Sequence, residues 1–574
     1  MSETGFLGRL PAPRPAGAAS SPVSVPPLLL LIVVIGGLSV LPLLRLLLVA
    51  LAPGGTLDLS ILAGLLGRAA VEKAAFNTLD TALCGMGLAV LVGTPVAALV
   101  TLTDLPGRRL VALLVLLPMM VAPQITALSW LHLFSTLRPA LEAVHLAGGK
   151  GGNPLLGRGG IIALYGLQEA PIVYLTLRAG LVRLPRDFVE AARASGAAPA
   201  RMLVDIVLPL VRPYLVAAAA LAFVGCVGNF GIPALLGMPA GYLTLSTFIY
   251  QQLTGLGPEV LPQMAGLSVL VGGLALVGIG LQGLALGGRA ARFAGGAPAR
   301  LGLGRWRWPV ATIVFVLLGG AAVLPLLALL ATALVPAYGV PLTPSTLTLD
   351  NFAEILWRQA ATGRAFLNST LLAGSAALLL GAGAIPLALA AQRLPPRLTR
   401  LAGGIADLPY ALPGVALAIA AILLFLKPLP LVGSLYATFW IILLAYLMRF
   451  LSLALKPVAA AVGQLPVELI EAAACAGAGP LRRLAGIVVP LTLPAALAGG
   501  LVVFMSAFGE LTVSSLLWSG GHETVGVILF SLEGAGLATQ AAATGVTTVF
   551  VILLVLAVVD RLGRRLPAGV LPWR

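Results

Sequence analysis

The sequence predicts an all-α integral membrane protein of about twelve transmembrane helices, arranged as two parallel six-helix repeats. Three observations support this fold class: an apolar composition, a series of long apolar runs, and one motif that occurs twice. Hydrophobic residues make up 59% of the 574 residues and charged residues only 10%. A soluble domain is far less apolar, so the lipid bilayer is the expected surrounding of most of the chain.

Apolar runs of about 20 residues, the length that crosses a bilayer as a helix, occur six times in each half of the chain. In the first half they lie near 27–52, 76–103, 110–136, 159–181, 214–237 and 263–287. In the second half they lie near 309–336, 366–391, 401–426, 433–458, 495–518 and 540–560. The predicted divisions are a tail at 1–26, a first repeat at 27–287, a Gly-, Ala- and Arg-rich tether at 288–308, a second repeat at 309–561 and a tail at 562–574.

The basic residues predict the orientation. If the N-terminus is cytoplasmic, most Lys and Arg residues of the short loops fall on the cytoplasmic side, as the positive-inside rule requires. Each half has an even number of spans, so both termini are expected in the cytoplasm and the pseudo-twofold axis along the membrane normal. Juxtamembrane loops thus explain the net charge of +15, and nucleic acid is not an expected partner.

One motif occurs twice, with equivalent residues 281 positions apart. Aligned without a gap, 184–213 and 465–494 are identical at 15 of 30 positions. These identities include Glu, Arg, Gly and Pro, which two unrelated apolar segments would not share in register. The motif residues are Glu190, Ala191, Ala192, Gly196, Pro199, Arg201, Ile206 and Pro209 in the first copy and Glu471, Ala472, Ala473, Gly477, Pro480, Arg482, Ile487 and Pro490 in the second.

The residue types of the motif predict a helix, a tight turn and a short transverse helix. Gly196 and Gly477 have no Cβ, so each can adopt the left-handed conformation that ends a helix. Pro199 and Pro480 suit the first turn of the next helix, where no backbone N–H is needed. The same helix, turn and helix are therefore expected in both halves.

The repeat extends beyond the motif. Asn77 and Asn368 stand at the start of the second span of their halves, and Pro118 and Pro409 stand in the third. Two equivalent six-helix bundles in one chain are therefore expected to enclose a central pathway.

Both motif copies resemble the EAA loop of ABC-transporter permeases, and the second departs from that pattern only in having Val489 in place of Leu. The resemblance implies the type I ABC importer permease fold, with two permease subunits fused in one chain. It implies that each loop docks on one copy of a separate ABC ATPase subunit. It also implies a periplasmic substrate-binding protein as a partner and the bacterial inner membrane as the location.

No Gly-x4-Gly-Lys-Ser/Thr phosphate loop occurs in the sequence. We therefore expect the chain to bind no cofactor, with ATP and Mg²⁺ held by the partner ATPase, and to be a transport subunit without enzymatic activity. The three Cys and three His residues are scattered, so no metal site is expected either.

Polar residues inside the predicted spans are candidate pathway residues, because a charged group in the bilayer is costly. Gln168 and Glu169 lie in the fourth span, and the 281-residue offset pairs Gln168 with Arg449 and Asn229 with Glu510. Two interpretations remain open. These groups line the path of a cationic or metal-bearing substrate, or Arg449 pairs with Glu169 or Glu510 to neutralise buried charge.

The stretches 228–237 and 508–514 are most similar to those of the ferric-iron type of fused permease. That resemblance implies ferric iron, delivered by the binding protein, as the substrate. Thiamine, polyamines, phosphonates and sugar phosphates are alternatives with the same architecture. A secondary transporter with parallel repeats is the alternative class, which would explain twelve spans but not the paired loops.

Overall fold

The computed structural model describes residues 25–562 except 54, 144–152, 185, 197, 254–258, 288–300, 429 and 431–432. Most of both predicted tails and most of the predicted tether lie outside the described residues. Within the described part, the regular structure is helical apart from isolated β-bridge residues.

The helices of the first half are α1 (Val25–Ile35), α2 (Leu41–Leu51), α3 (Ser60–Leu66), α4 (Ala69–Leu102), α5 (Arg108–Met120), α6 (Pro123–Ala143), α7 (Arg158–Leu181), α8 (Arg186–Ala194), α9 (Pro199–Met202), α10 (Leu208–Gly228), α11 (Gly231–Leu236), α12 (Leu245–Gln252) and α13 (Val260–Gly287). The helices of the second half are α14 (Arg307–Ala333), α15 (Asp350–Ala353), α16 (Ala360–Gln392), α17 (Pro396–Ala411), α18 (Gly414–Phe425), α19 (Phe439–Val462), α20 (Val467–Cys475), α21 (Pro480–Arg483), α22 (Val489–Phe508), α23 (Ser514–Leu517), α24 (Val525–Gly534) and α25 (Ala538–Leu562). Short π-helical turns lie at Gly36–Val40, Leu203–Val207, Glu354–Arg358 and Leu484–Val488.

Ten spans of the described chain are long and apolar enough to cross a membrane, and twelve result if two bent helix pairs each count as one span. The predicted fold class of about twelve transmembrane helices is therefore confirmed. The third span of each repeat, however, is not the continuous helix that its apolar run suggests. The axes of α5 and α6 differ by 105°, and those of α17 and α18 by 100°.

Proline explains where these third spans bend. Ala122 precedes Pro123 and Leu412 precedes Pro413, and a residue before proline is displaced from the helical region towards extended conformations. Leu412 accordingly has ψ 147°. The helix ends at this point in both repeats and begins again in a new direction.

After its bend, each third span packs against the other repeat. α6 contacts α14 and α25 of the second repeat, whereas α18 contacts α2 and α13 of the first. The two repeats therefore interlock, and both bends lie where the repeats meet.

The described end of the predicted tether is attached to the first repeat. The Leu301 N–H donates to the Leu102 carbonyl at 2.6 Å, and the Asp104 N–H donates to the Leu301 carbonyl at 3.2 Å. The Leu303 N–H donates to Asp104 Oδ1 at 2.8 Å. The tether thus ends in a fixed contact with the loop between α4 and α5, directly before α14 begins.

Small residues bring the long helices close together, as expected where apolar burial alone gives little driving force between helices. Gly93 of α4 lies against α7, and a Cβ at this position would be 2.8 Å from the Ala170 carbonyl oxygen. Gly166 of α7 lies against the side chain of Leu88 in the same helix pair. This packing fixes α7, which bears two of the predicted pathway residues.

Candidate functional site

The duplicated motif has the same local structure in both repeats. The first motif helix is α8 in one copy and α20 in the other, and a glycine with positive φ follows each of them. The φ angle is +77° at Gly196 and +79° at Gly477, in the left-handed region that glycine occupies without a steric penalty. The turn that the sequence predicts at each glycine is therefore present.

The predicted short transverse helix after the turn is not a separate element. α9 and α21 continue through π-helical turns, which contain Ile206 and Ile487, into the long helices α10 and α22. Pro209 and Pro490 follow these turns, and proline has no N–H with which to close an ordinary helical turn. The wider π-helical turn accommodates this missing donor, so the second motif helix is the beginning of the fifth span itself.

Most motif residues lie at the surface of the described structure. The exposed ones are Glu190, Ala191, Gly196, Arg201 and Pro209 in the first copy and Glu471, Ala472, Gly477, Pro480, Arg482 and Pro490 in the second. Ile206, Ala473 and Ile487 are half-buried, and the side chain of Pro199 lies outside the described residues. Ala192 is buried in a hydrophobic cluster against which Leu301 and Leu303 also pack, so the first loop and the end of the tether share one apolar cluster.

The predicted pathway residues of the fourth spans both lie at the bends. Gln168 Nε2 donates to the carbonyls of Pro118 at 3.0 Å and Val121 at 3.4 Å, where α5 ends. The guanidinium group of Arg449 lies directly against Gly414, the first residue of α18, and a Cβ on that glycine would overlap it. The repeat offset therefore places two different polar groups at two equivalent bends.

The predicted pathway residues of the fifth spans both act as helix caps. Asn229 Oδ1 accepts a hydrogen bond from the Ile232 N–H at 3.1 Å, where α11 begins. Glu510 Oε1 accepts one from the Val513 N–H at 2.8 Å, and its Oε2 accepts one from the Ser514 N–H at 3.0 Å. The carboxylate of Glu510 is thus hydrogen-bonded within its own repeat.

The ion pair considered for Arg449 is not formed. In the described part of the chain, Arg449 has no carboxylate within ion-pair distance, and its buried Nη1 has no hydrogen-bond partner. The carboxylate of Glu169 packs instead against Gly225 of α10, and its Oε2 is also without a hydrogen-bond partner. The geometry therefore gives no support to a direct ion pair between these side chains.

The short helices α12 and α24 are held in the same way at the end of the bundle opposite the motif loops. Asn77 Nδ2 donates to the Leu243 carbonyl at 2.9 Å, and Asn368 Nδ2 donates to the Glu523 carbonyl at 3.0 Å. The two acceptor residues, Leu243 and Glu523, each lie just before the short helix of their repeat. They are 280 positions apart instead of 281, because the second repeat is one residue shorter between its fifth span and its short helix.

Contacts between equivalent residues locate the pseudo-twofold axis. Tyr250 of α12 and Phe530 of α24 are equivalent, and their ring centroids lie 5.8 Å apart in an edge-to-face arrangement. Two residues related by a twofold axis can touch each other only beside that axis. Phe230 lies 5.3 Å from the Tyr250 ring and 6.1 Å from the Phe530 ring. These three residues, the aromatic trio, therefore lie beside the pseudo-twofold axis.

Two further contacts between the repeats lie at the bends. We call the contact of Ala122 with Gly509 the first joint, since a Cβ on Gly509 would be 3.1 Å from the Ala122 Cβ. We call the contact of Pro413 with Gly228 the second joint, where the corresponding distance to the Pro413 Cα is 3.7 Å. Ala122 is equivalent to Pro413 and Gly228 to Gly509, so the same axis relates the two joints.

The sequence reasoning missed the aromatic trio and the joints, although it selected Asn229 and Glu510, the neighbours of the joint glycines. The available signal was the alignment of Gly228 with Gly509 at the repeat offset. An aligned glycine in the middle of two apolar runs suggests a close approach of another backbone. The approaching residues come from the opposite repeat and have no local sequence signal.

The model of the family described as binding-protein-dependent transport system inner membrane component matches the chain twice, over residues 85–289 and 384–571. The chain is 28% identical over 411 residues to "Probable ABC transporter permease protein y4fN" of Sinorhizobium fredii, covering 70% of each protein. It is 25% identical over 525 residues to "Fe(3+)-transport system permease protein FbpB 2" of Haemophilus influenzae, covering 90% of this chain and 94% of that relative.

A shorter relative aligns with about half of the chain. It is "Putative 2-aminoethylphosphonate transport system permease protein PhnV" of Salmonella typhimurium, 25% identical over 258 residues. The alignment covers 94% of that protein and 45% of this chain. One repeat of the present molecule thus corresponds in size to a whole relative.

Proposed function

This chain belongs to the binding-protein-dependent transport system inner membrane component family as a fused, two-repeat permease, and from that premise we propose that each motif loop engages one copy of an ABC ATPase subunit. The observation that carries the proposal is the exposed helix, left-handed glycine and helix found at both loops, with φ angles of +77° and +79°. Because the two loops have the same local structure, each is expected to bind the same kind of subunit. The family assignment sets aside the secondary-transporter alternative.

ATP and Mg²⁺ belong on the partner in this proposal, because the chain has no phosphate-binding loop. The purified chain alone should hydrolyse no ATP. Native mass spectrometry of the assembled transporter should give one copy of this chain with two ATPase subunits. A complex with two copies of this chain, each holding a single ATPase, would refute the proposed stoichiometry.

The proposed orientation places both loops and both termini in the cytoplasm of a cell with this chain in its inner membrane. Cys475 supplies a built-in probe, since it is exposed at the end of α20, whereas Cys226 is buried. In a Cys84→Ser background, a membrane-impermeant maleimide should label Cys475 in inside-out vesicles and not in right-side-out cells. Labelling from the outer side would contradict the orientation.

We propose ferric iron, delivered by a periplasmic binding protein, as the substrate. The support is the full-length similarity to a relative whose name assigns it to Fe(3+) transport, together with the stretches 228–237 and 508–514. A phosphonate is the second candidate, because another relative carries 2-aminoethylphosphonate in its name.

Uptake by cells that depend on this transporter separates the two candidates. Cells with the chain, its ATPase and its binding protein should accumulate radiolabelled ferric iron, and excess unlabelled 2-aminoethylphosphonate should not compete. Uptake of the phosphonate without uptake of iron would refute ferric iron and support the phosphonate as the substrate. The matched control is the same strain with Gly196→Val and Gly477→Val, in which the coupling loops are impaired.

The proposed pathway follows the axis past the residues that the repeat offset pairs. Gln168 and Arg449 border the two bends, and Asn229 and Glu510 cap the helices beside the two joints. Glu169 adds a buried carboxylate to the same region. A buried charge in a membrane is costly. Contact with a substrate, or with water that accompanies the substrate, would lower this cost for Glu169.

A further inference from the structure

The two joints are related by the pseudo-twofold axis but differ in chemistry. At the first joint, Gln124 Nε2 donates a buried hydrogen bond of 2.6 Å to the Gly509 carbonyl of the other repeat. The residue equivalent to Gln124 in the second repeat is Val415, which is fully buried and has no donor. Within the described residues, no side chain donates a hydrogen bond to the Gly228 carbonyl at the second joint.

Gln124 also contacts its own repeat at the point where α11 begins. A Cβ on Gly231 would be 3.0 Å from the Gln124 backbone nitrogen and 3.1 Å from its Oε1, so the glutamine lies flat against that glycine. Gln124 therefore joins α6, the start of α11 and the end of α22, which are three of the elements around the axis. The residue is only 2% exposed.

The second joint has a different polar group nearby. The Arg449 guanidinium lies against Gly414, and its Nη1 is buried without a hydrogen-bond partner. If the second joint separated, water or a substrate group would reach this guanidinium and supply the missing hydrogen bond. If the first joint separated, the amide of Gln124 and the Gly509 carbonyl would both lose their partner in a water-poor region.

We propose that Gln124 is a positioning residue of the permease that holds the first joint closed, so that the pathway opens by separation of the second joint. The first joint then serves as the hinge, and the aromatic trio parts when the contact of Pro413 with Gly228 opens. This inference rests on the proposed function, because it describes how the pathway of an importer permease opens. It assigns different roles to two positions that the repeat makes equivalent.

Cysteine pairs at the two joints test the inference directly. In a background without the native cysteines, Ala122→Cys with Gly509→Cys would bridge the first joint, and Gly228→Cys with Pro413→Cys would bridge the second. The distances across both joints are close to those that a disulfide spans. Transport and binding-protein-stimulated ATP hydrolysis are measured with each bridge formed and again after reduction.

The bridge at the first joint should leave transport intact, whereas the bridge at the second joint should abolish it until a reductant is added. Loss of transport with the first bridge, or normal transport with the second, would overturn the inference. Co-purification of each variant with the ATPase is measured in parallel. A failure of the proposed function appears as absent ATPase binding in the unmodified chain, which distinguishes it from a failure of the hinge.

Substitution of the glutamine gives a second measurement with a matched control. Gln124→Leu keeps the approximate size but removes the donor, and it should raise ATP hydrolysis in the absence of binding protein by about tenfold. That change corresponds to the loss of a hydrogen bond of about 1.4 kcal/mol. Gln124→Asn should fail to rescue coupling because its amide is one methylene short, whereas Val415→Leu, an apolar change at the equivalent position, should leave basal hydrolysis low. Equal effects of Gln124→Leu and Val415→Leu would show that the polar contact has no special part.

Discussion

Substitution of Gly477 tests how much one backbone conformation contributes to binding of the ATPase subunit. The residue has φ +79°, and no atom lies within 4 Å of the position that a Cβ would occupy. A side chain added here meets no neighbour in the described structure, so the whole penalty comes from the left-handed backbone. For an ordinary L-residue such as Ala this penalty is about 1–2 kcal/mol.

Three variants at this position should therefore form a graded series. Gly477→Asn should have the smallest effect, since Asn visits the left-handed region more readily than other residues. Gly477→Ala should weaken ATPase binding about tenfold, because about 1.4 kcal/mol corresponds to that factor. Gly477→Val should weaken it further, because a branched side chain is a clear outlier at positive φ.

The assay is the affinity of detergent-solubilised chain for its purified ATPase, together with membrane yield and transport. Yield should stay constant across the series, because the damage is confined to a loop outside the spans. Gly196 offers the same series at the first loop, with φ +77° and an equally open Cβ position. The reasoning is refuted if Val binds as tightly as Gly, or if Asn is as damaging as Val.

Three other predictions concern the interior and the tether. Glu510→Gln keeps one acceptor for the cap of α23 and should cost about 1 kcal/mol of stability while transport falls; normal uptake by the folded variant would contradict a pathway role. Gly225→Ala should destabilise the protein by about 1–3 kcal/mol through overlap with the Glu169 carboxylate, and Glu169→Ala should restore the thermal midpoint in the double variant; no restoration would disprove the contact. Asp104→Ala removes the acceptor of the Leu303 N–H and should speed amide exchange where α14 begins; unchanged exchange would mean that the tether end is held by other contacts.

The fold class and the motif loops could be predicted because their signals are local. A run of apolar residues reports a span wherever it occurs. Gly196 and Gly477 report a turn because few other residues adopt positive φ. The bends could also have been predicted, since the residues before Pro123 and Pro413 are disfavoured in a helix. The apolar runs alone do not show that the chain changes direction there.

The centre of the molecule could not be predicted in the same way, because its contacts join residues distant in the sequence. Gln124 and its acceptor Gly509 are 385 residues apart. The ring of Phe530 meets Phe230 and Tyr250 only because the repeats face each other across an axis. The repeat offset pairs Gln168 with Arg449, but it could not tell that the amide of Gln168 reaches two carbonyls whereas Nη1 of Arg449 has no hydrogen-bond partner.

The two halves of the chain share half of their residues at the motif loops but carry different side chains at several positions around the axis, and this difference has a physical reason. A pair of identical ATPase subunits would impose the same docking geometry on both loops, which keeps the two glycines in the same conformation. On the proposed pathway a substrate would pass the axis once and contact both repeats together, so nothing requires its surroundings to be symmetric. Asn229 can then stand where the second repeat has Glu510, and Phe230 where it has Leu511. Fusion into one chain ensures that each assembly holds one of each half, and the two joints can therefore acquire separate roles.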